Sequence, residues 1–339
     1  TLCSLLYSSS SKRSCVIDID YVKYSAASVG EKRSIRAYHP LTGDEWTASN
    51  RTELYGHWQK KDKGILAEHN RKNGTDYKAD ELVILDIQTP EPIANVLHTA
   101  KSMVESALYQ LKTNKHICYI GVGESFRVER STLIRYKGNR TDMLKPLALD
   151  EVTKYLTKKF SAIEVSGIEA DDAVVMEAYR DKTKTVVAVD KDYLGTDVLL
   201  FNPNKPEHGV IDCSGYGSLW LDNKGAVTGK GRSFLYYQTL SQDDSDNYAA
   251  NSASDIKWGS KSAYKALKDC TNDKEALQAI ADSYKLLYPE TKMFKGWRGD
   301  EFEIDWKYVF NENFDLARML RWEGDVVVGT DVLRSLNVL

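Results

Sequence analysis

The chain is poor in the residues that build disulfide frameworks and zinc sites. Its five cysteines (Cys3, Cys15, Cys118, Cys213, Cys270) are scattered, odd in number and without a CxxC pair, which argues for free thiols in a reducing compartment. The six histidines form no HxxxH or HExxH, so the usual helical zinc spacings are excluded. No run of about 18 apolar residues occurs, so no membrane-spanning helix is expected. Neither sign of charge dominates, the formal net charge being −3. That sum excludes little, because an acidic ion site and a basic binding face cancel in it. With 42% apolar and 28% charged residues the composition is that of a globular protein. A chain of 339 residues buries a large core and is expected to form one large α/β domain with a smaller one appended. The Ser-rich start, residues 1–14, reads as a disordered lead-in rather than a signal peptide.

What the chain does have is a concentrated acidic stretch from Ser166 to Asp192. Val186–Val189 is an unbroken apolar run, as expected of a buried parallel strand. Asp190 and Asp192 follow at spacing two, so in an extended chain they point the same way. Ala173–Tyr179 is apolar almost all round, which predicts a helix covered on most sides. Glu169, Asp171 and Asp172 fall in its first turn, where the macrodipole favours negative charge. A helix followed by a parallel strand brings these acids to one edge of the sheet, where open α/β proteins bind ligands. Carboxylates crowded there raise one another's pKa unless a cation sits among them. All-oxygen donors select Mg²⁺ or Mn²⁺ over zinc. The plainer reading makes the helix-start acids caps and Asp190–Asp192 a solvated turn.

The flanking chain supplies the rest of an α/β pattern. Cys15–Asp20 reads as a first strand ending at Asp18, and Tyr21–Ser28 begins a helix or loop. Ser34–Trp46 is β-like with a turn at Thr42–Asp44. Residues 50–80 are polar and basic, and a solvated insertion face is favoured there over a nucleic-acid contact. Apolar residues from Ile93 to Leu111 recur at helical spacing after Pro90 and Pro92. Ile117–Ile120 is a second buried strand, ending in Gly121, Gly123 and Glu124. The segment Arg127–Lys145 is rich in Arg and Lys with Phe126 and Tyr136 interleaved, which suits a phosphate backbone and unstacked bases; core packing is the competing role for Phe126. Leu149–Phe160 is helical and Ile163–Val165 strand-like, giving a doubly wound order. Leu199–Gly231 reads as one or two hairpins, residues 234–290 as a compact helical module with an N-x-x-E cap at Asn272, and residues 291–339 as a tail packing back on the core.

Five of these blocks, in order from Cys15 to Leu267, resemble the 5′-nuclease superfamily: flap endonucleases, the 5′-nuclease domains of bacterial DNA polymerase I, and above all bacteriophage 5′→3′ exonucleases. Val16-Ile17-Asp18 is similar to the family's first strand ending in a metal-binding Asp. Phe126-Arg127 and Tyr136-Lys137-Gly138-Asn139-Arg140 resemble the entry to its helical arch, where a lysine and an arginine grip the scissile phosphate. Gly167-Ile168-Glu169-Ala170-Asp171-Asp172 matches its most specific acidic motif, and Asp190-Lys191-Asp192-Tyr193 its Asp-x-Asp. Asp243 and Asp246-Asn247 fit the block that introduces a helix–three-turn–helix DNA module.

The resemblance implies a PIN/5′-nuclease-like, mainly parallel sheet over residues 15–233, with an insertion at 34–80, an arch region at 126–160 and the DNA module at 234–290. It implies a Mg²⁺-dependent 5′→3′ exonuclease or 5′-flap endonuclease, acting in replication or recombination on DNA, or on RNA–DNA hybrid, and leaving 5′-phosphates. Two Mg²⁺, replaceable by Mn²⁺, would be held by Asp18, Glu169, Asp171, Asp172, Asp190, Asp192, Asp243 and Asp246. Lys137 and Arg140 would be catalytic, and Arg127, Tyr136, Gly259, Ser260, Lys261 and Ser262 would bind DNA with free 5′ ends, flaps or nicks, with K⁺ at the hairpin of the module. The protein would be a monomer in the cytoplasm, the host's if phage-encoded.

Three departures stand out. Gln242 replaces a glycine, the DNA hairpin keeps only Gly259, and the second strand lacks its terminal Asp. Glu124, with a longer side chain, is the candidate for that missing ligand, and Asp20, beside Asp18, is a separate candidate metal residue. Two further readings stay open. One is a DNA-binding protein of the same fold without catalysis. The other is a phosphatase of haloacid-dehalogenase type, whose first motif Asp18-Ile19-Asp20 resembles but which leaves the Glu169–Asp172 block unexplained.

Overall fold

The computed structural model describes residues 14–339 except 58 and 142; the expected lead-in lies, but for Ser14, outside them. The described chain divides into two units, one of residues up to Val22 with Ser102–Leu144 and Leu156–Leu339, the other of Lys23–Lys101 and Lys145–Tyr155.

The first unit is built on a six-stranded sheet. Its strands run in the order Ile163–Gly167, His116–Ser125, Cys15–Asp18, Thr185–Val187, Leu199–Phe201, Val210–Asp212. All neighbours are parallel except the last pair. Cys15–Asp18 lies in the middle and is buried along its whole length, because both faces are covered and both edges paired. Chain order reverses between this strand and Thr185–Val187, which makes their C-terminal ends a topological switch point. Asp18 ends one of these strands and Asp190 follows the other.

The expected helix after the second acidic motif spans Ala170–Arg180, with Glu169 as N-cap and Ala170, Asp172, Ala173, Val174, Val175, Glu177 and Ala178 buried. The helices Arg232–Leu240, Asp273–Leu287 and Trp306–Ala317 share a core of Phe234, Leu240, Ile280, Tyr284, Phe310 and Phe314. The last of them, in the tail, joins this core with Tyr284 and Phe310 edge to face at 5.5 Å. Asn272 caps the Asp273–Leu287 helix, its side chain accepting from the Glu275 amide. The Lys292–Lys295 and Glu301–Ile304 hairpin was not foreseen, since its apolar residues are few and half its positions are charged.

In the arch region the chain forms a five-residue helix, Phe126–Arg130, and a 3-10 turn, Gly138–Arg140. Among the described residues no α-helix lies between Arg130 and Leu149. Lys137 sits at φ 54°, a left-handed conformation that ends helical winding.

The second unit holds a three-stranded antiparallel sheet in the order Glu45–Ala48, Glu31–Tyr38, Val83–Pro90. Ile35, Ala37, Trp46, Leu54 and Leu66 form its core. The strand ending at Pro90 escapes sequence reading because that proline serves equally as a helix start signal; as the last residue of an edge strand it is tolerated.

Candidate metal and phosphate site

Asp18 ends a central strand and Asp190 follows its neighbour, and three of the expected acids, Glu169, Asp171 and Asp172, form one cluster. Asp18 accepts from the Asp20 amide at 3.1 Å and from the Tyr193 hydroxyl at 3.1 Å. Burial, with Asp20 and Asp190 beside it, pushes Asp18 up to about 7. Glu169, Asp171 and Asp172 each offer an oxygen within 4.8 Å of the others. Burial and the charges of Glu169 and Asp172 push Asp171 well above the usual carboxylate range. Asp192 is raised in the same way by burial and by Asp190, and accepts from the Gln238 amide nitrogen at 2.5 Å. Asp190 accepts the Asp192 amide at 3.0 Å.

Asp243 and Asp246 come from a tight turn in which Asp243 accepts from the Ser245 amide at 2.9 Å and the Asp246 amide at 3.2 Å. Burial alone would raise Asp243, but Lys191 at 2.8 Å and Ser245 outweigh it and hold it low. Asp246 stays raised, by burial above all.

Lys137 links the two acidic groups. Its ammonium bonds Glu169 and lies 3.6 Å from Asp246, while its amide donates to the Asp246 carbonyl at 2.9 Å. Burial pulls this lysine down, yet Glu169, Asp246 and Asp171 together hold it above its ordinary value. Arg140 reaches Asp246 at 3.2 Å and remains 45% exposed. The two cations expected to handle phosphate therefore stand directly on the acids.

Other expected residues sit elsewhere. Arg127, expected on a DNA face, is 2% exposed. Its guanidinium forms a two-pronged pair with Asp172 at 2.6 and 2.9 Å and also donates to Glu169 and to the carbonyls of Leu316 and Arg318. Asp172 is fully occupied in return: besides Arg127 it accepts the amides of Leu320 at 2.8 Å and Glu169 at 3.1 Å. Although near enough to its neighbours to share an ion, Asp172 has its lone pairs committed, and Asp171 and Glu169 are the better donors. Tyr136, expected to stack on a base, is 3% exposed, and its hydroxyl donates to Glu169 at 3.0 Å and Asp246 at 2.8 Å. Glu124 turns outward, 70% exposed, and pairs with Arg135 at 3.0 Å. Gly259 is the N-cap of the Ser260–Leu267 helix, so Ser260, Lys261 and Ser262 form its first turn. A Cβ on Gly259 would lie 3.2 Å from the Gln242 side chain, so two of the departures from the family pattern are neighbours in space.

No family model and no curated protein matches the chain. Solved structures do, among them a mutant of T5 5′-exonuclease and the T5 D15 protein co-crystallised with metal ions. The structural likeness is to T5 5′-exonuclease. The first match has 18% identity and a TM-score of 0.35, covering 65% of this chain and 78% of that one. The second has 19% identity and a TM-score of 0.40, covering 71% and 89%. Both scores are low, and the functional reading rests on this chain's own residues.

The residues that support the acids were largely invisible in sequence. Tyr193 and Lys191 sit within the Asp190–Tyr193 motif, and Gln238 is a polar residue inside an apolar helical run, so each carried a weak signal. The tail carried none: Leu316, Arg318 and Leu320 act through backbone atoms, which any sequence supplies.

The donor set fits a hard divalent cation. Carboxylates outnumber the cations Arg127, Lys137, Arg140 and Lys191 around them, and burial together with neighbouring carboxylates raises Asp18, Asp171 and Asp192 above the usual carboxylate range. Such a set favours Mg²⁺ or Mn²⁺, whose charge replaces the missing compensation.

Proposed function

We propose that the chain is a divalent-metal-dependent nuclease that hydrolyses DNA phosphodiesters from 5′ ends or flaps and leaves 5′-phosphates. The observation that carries this reading is the pairing of Lys137 and Arg140 with Glu169 and Asp246 at the sheet's switch point. A simple cation buffer has no use for two long cations mounted on its acids, and the phosphatase reading leaves the Glu169–Asp172 block without a role.

Glu169, Asp171 and Asp18 would hold one ion, and Asp190, Asp192, Asp243 and Asp246 a second, in part through water. Bound there, such ions lower the pKa of a water and stabilise the charge on the attacked phosphate and leaving oxygen. Lys137 and Arg140 offset phosphate charge as positioned cations rather than proton donors. Arg127 and Asp172 hold Glu169 in place, and Tyr136 bridges Glu169 to Asp246. Lys261 and the first-turn amides of the Ser260–Leu267 helix would hold duplex phosphate without reading sequence, as a helix–three-turn–helix module does. The segment between Arg127 and Lys145 would receive the single-stranded 5′ end as the arch.

The test is cleavage of a 5′-labelled flap duplex in Mg²⁺ by the intact protein, Asp171→Ala and Lys137→Ala. Each variant is expected to lose about 100-fold or more, and product lengths separate trimming from cutting at the junction. Full activity in Asp171→Ala overturns the assignment of the site. Tight flap binding without cleavage in Mg²⁺ or Mn²⁺ leaves a DNA-binding protein of this fold.

A further inference from the structure

The His116–Ser125 strand pairs with Asp18 at Tyr119 and runs on beside Ile163–Gly167, yet offers no carboxylate just past that pairing: Gly121 follows two residues after Tyr119, and Glu124 turns away to Arg135. The space is nonetheless filled by an acid. The Gly121 amide donates to one carboxylate oxygen of Asp20 at 3.1 Å. A Cβ built on Gly121 would lie 2.8 Å from the other oxygen of Asp20 and 3.6 Å from the Ala170 amide nitrogen. Gly121 is not among the glycines with positive φ, so its backbone would accept any residue. What excludes a side chain is the Asp20 carboxylate itself.

We propose that Asp20 is the carboxylate ligand that this strand does not carry, reached from the turn after Asp18 and admitted by the bare Gly121. The proposal rests on the metal-site reading above. Three observations place the group. Its amide is bonded to Asp18 at 3.1 Å, which fixes the turn. Its carboxylate lies at the mouth of the strand next to the first strand. The same point adjoins the start of the Ala170–Arg180 helix, which carries Glu169 and Asp171. Asp20 thereby stands between the acid of the first strand and those of the helix, where an ion shared by Asp18, Glu169 and Asp171 would need a further oxygen. A purely structural role, in which Asp20 only fastens the strand end, requires a hydrogen-bond acceptor but no charge.

The experiment is Mn²⁺ binding to the full chain, read by calorimetry and by the electron paramagnetic resonance signal of the free ion, with a thermal melt in EDTA to confirm folding. Asp20→Asn keeps the acceptor for Gly121 and removes the charge; it is expected to weaken Mn²⁺ binding by about tenfold or more. Gly121→Ala is expected to fold, since its Cβ meets only the movable end of Asp20, and to weaken binding as well by pushing that end aside. The exchange Asp20→Gly with Gly121→Asp puts the carboxylate on the strand and is expected to restore most of the affinity. Intact affinity in Asp20→Asn, or an exchange variant no better than Asp20→Asn, overturns the proposal. A parent chain that binds no Mn²⁺ overturns the metal site and Asp20 with it. Binding with the expected pattern but no cleavage of DNA removes the nuclease reading and leaves Asp20 as a ligand.

Discussion

Asp171 and Asp172 are adjacent in the chain and opposite in circumstance. Asp172 answers the buried Arg127 with both oxygens, whereas Asp171, half-buried, is raised by desolvation and by the like charges of Glu169 and Asp172. Removing Asp172 leaves a buried guanidinium short of its partner, so Asp172→Ala is expected to cost about 3–5 kcal/mol. Asp171→Ala removes repulsion and is expected to stabilise the metal-free chain by about 0.5–2 kcal/mol while Mn²⁺ binding falls. Denaturant titration in EDTA measures both, and a loss of stability in Asp171→Ala contradicts the assignment. The pH dependence divides in the same way. The Asp172 carboxyl is held low: burial opposes this, but Arg127 and the Leu320 and Glu169 amides outweigh it. Its contribution is therefore present above the ordinary value of about 3.9 and lost as pH falls below it. Asp18, raised to about 7, contributes below about 3.9 and loses that contribution as pH rises through 7. In EDTA the melting temperature is expected to drop between pH 5 and 8, and to drop less in Asp18→Asn.

At the scale of elements, the Ala170–Arg180 helix presents the acids only because other segments hold its first turn. Glu169 caps it, Arg127 ties Glu169 to Asp172, and the backbone after Trp306–Ala317 closes the arrangement through Leu320. Leu320→Pro deletes the amide that Asp172 accepts. It is expected to destabilise the chain by about 1–3 kcal/mol and to loosen metal binding, although Leu320 lies in a tail without catalytic residues. The Ser260–Leu267 helix makes a different prediction. If its first turn grips duplex phosphate, Lys261→Ala weakens DNA binding about equally for all sequences and lowers the salt dependence of log K by about 1. An unchanged salt slope would remove this helix from the interface.

At the scale of the molecule, the order of the six strands decides where chemistry is possible. The central pair, Cys15–Asp18 and Thr185–Val187, are parallel neighbours with the chain leaving in opposite directions around them, and the acids gathered there come from four separate segments. A cation added there should stabilise most where the carboxylates are ionised. Mg²⁺ is expected to raise the melting temperature more at pH 8 than at pH 5.5, because binding must displace protons at the lower pH. Equal shifts at both values would mean that these carboxylates do not hold the ion. Among the described residues no helix is long and apolar enough to cross a membrane.

Local pattern by itself determined the central strand, the covered helix after Glu169, the Asn272 cap and the acidic residue types of the candidate site. These follow from periodicity, end signals and donor chemistry, all of which act over a few residues. Tertiary structure alone decided which charges face solvent and which face one another. Arg127 reads as a surface cation until the fold buries it against Asp172. Tyr136 reads as a stacking ring until its hydroxyl is seen between two acids. Gly121 reads as a missing ligand until Asp20 is found in the space its side chain would take. Burial and non-local pairing set these roles, and both depend on chain brought from 33 to 110 residues away.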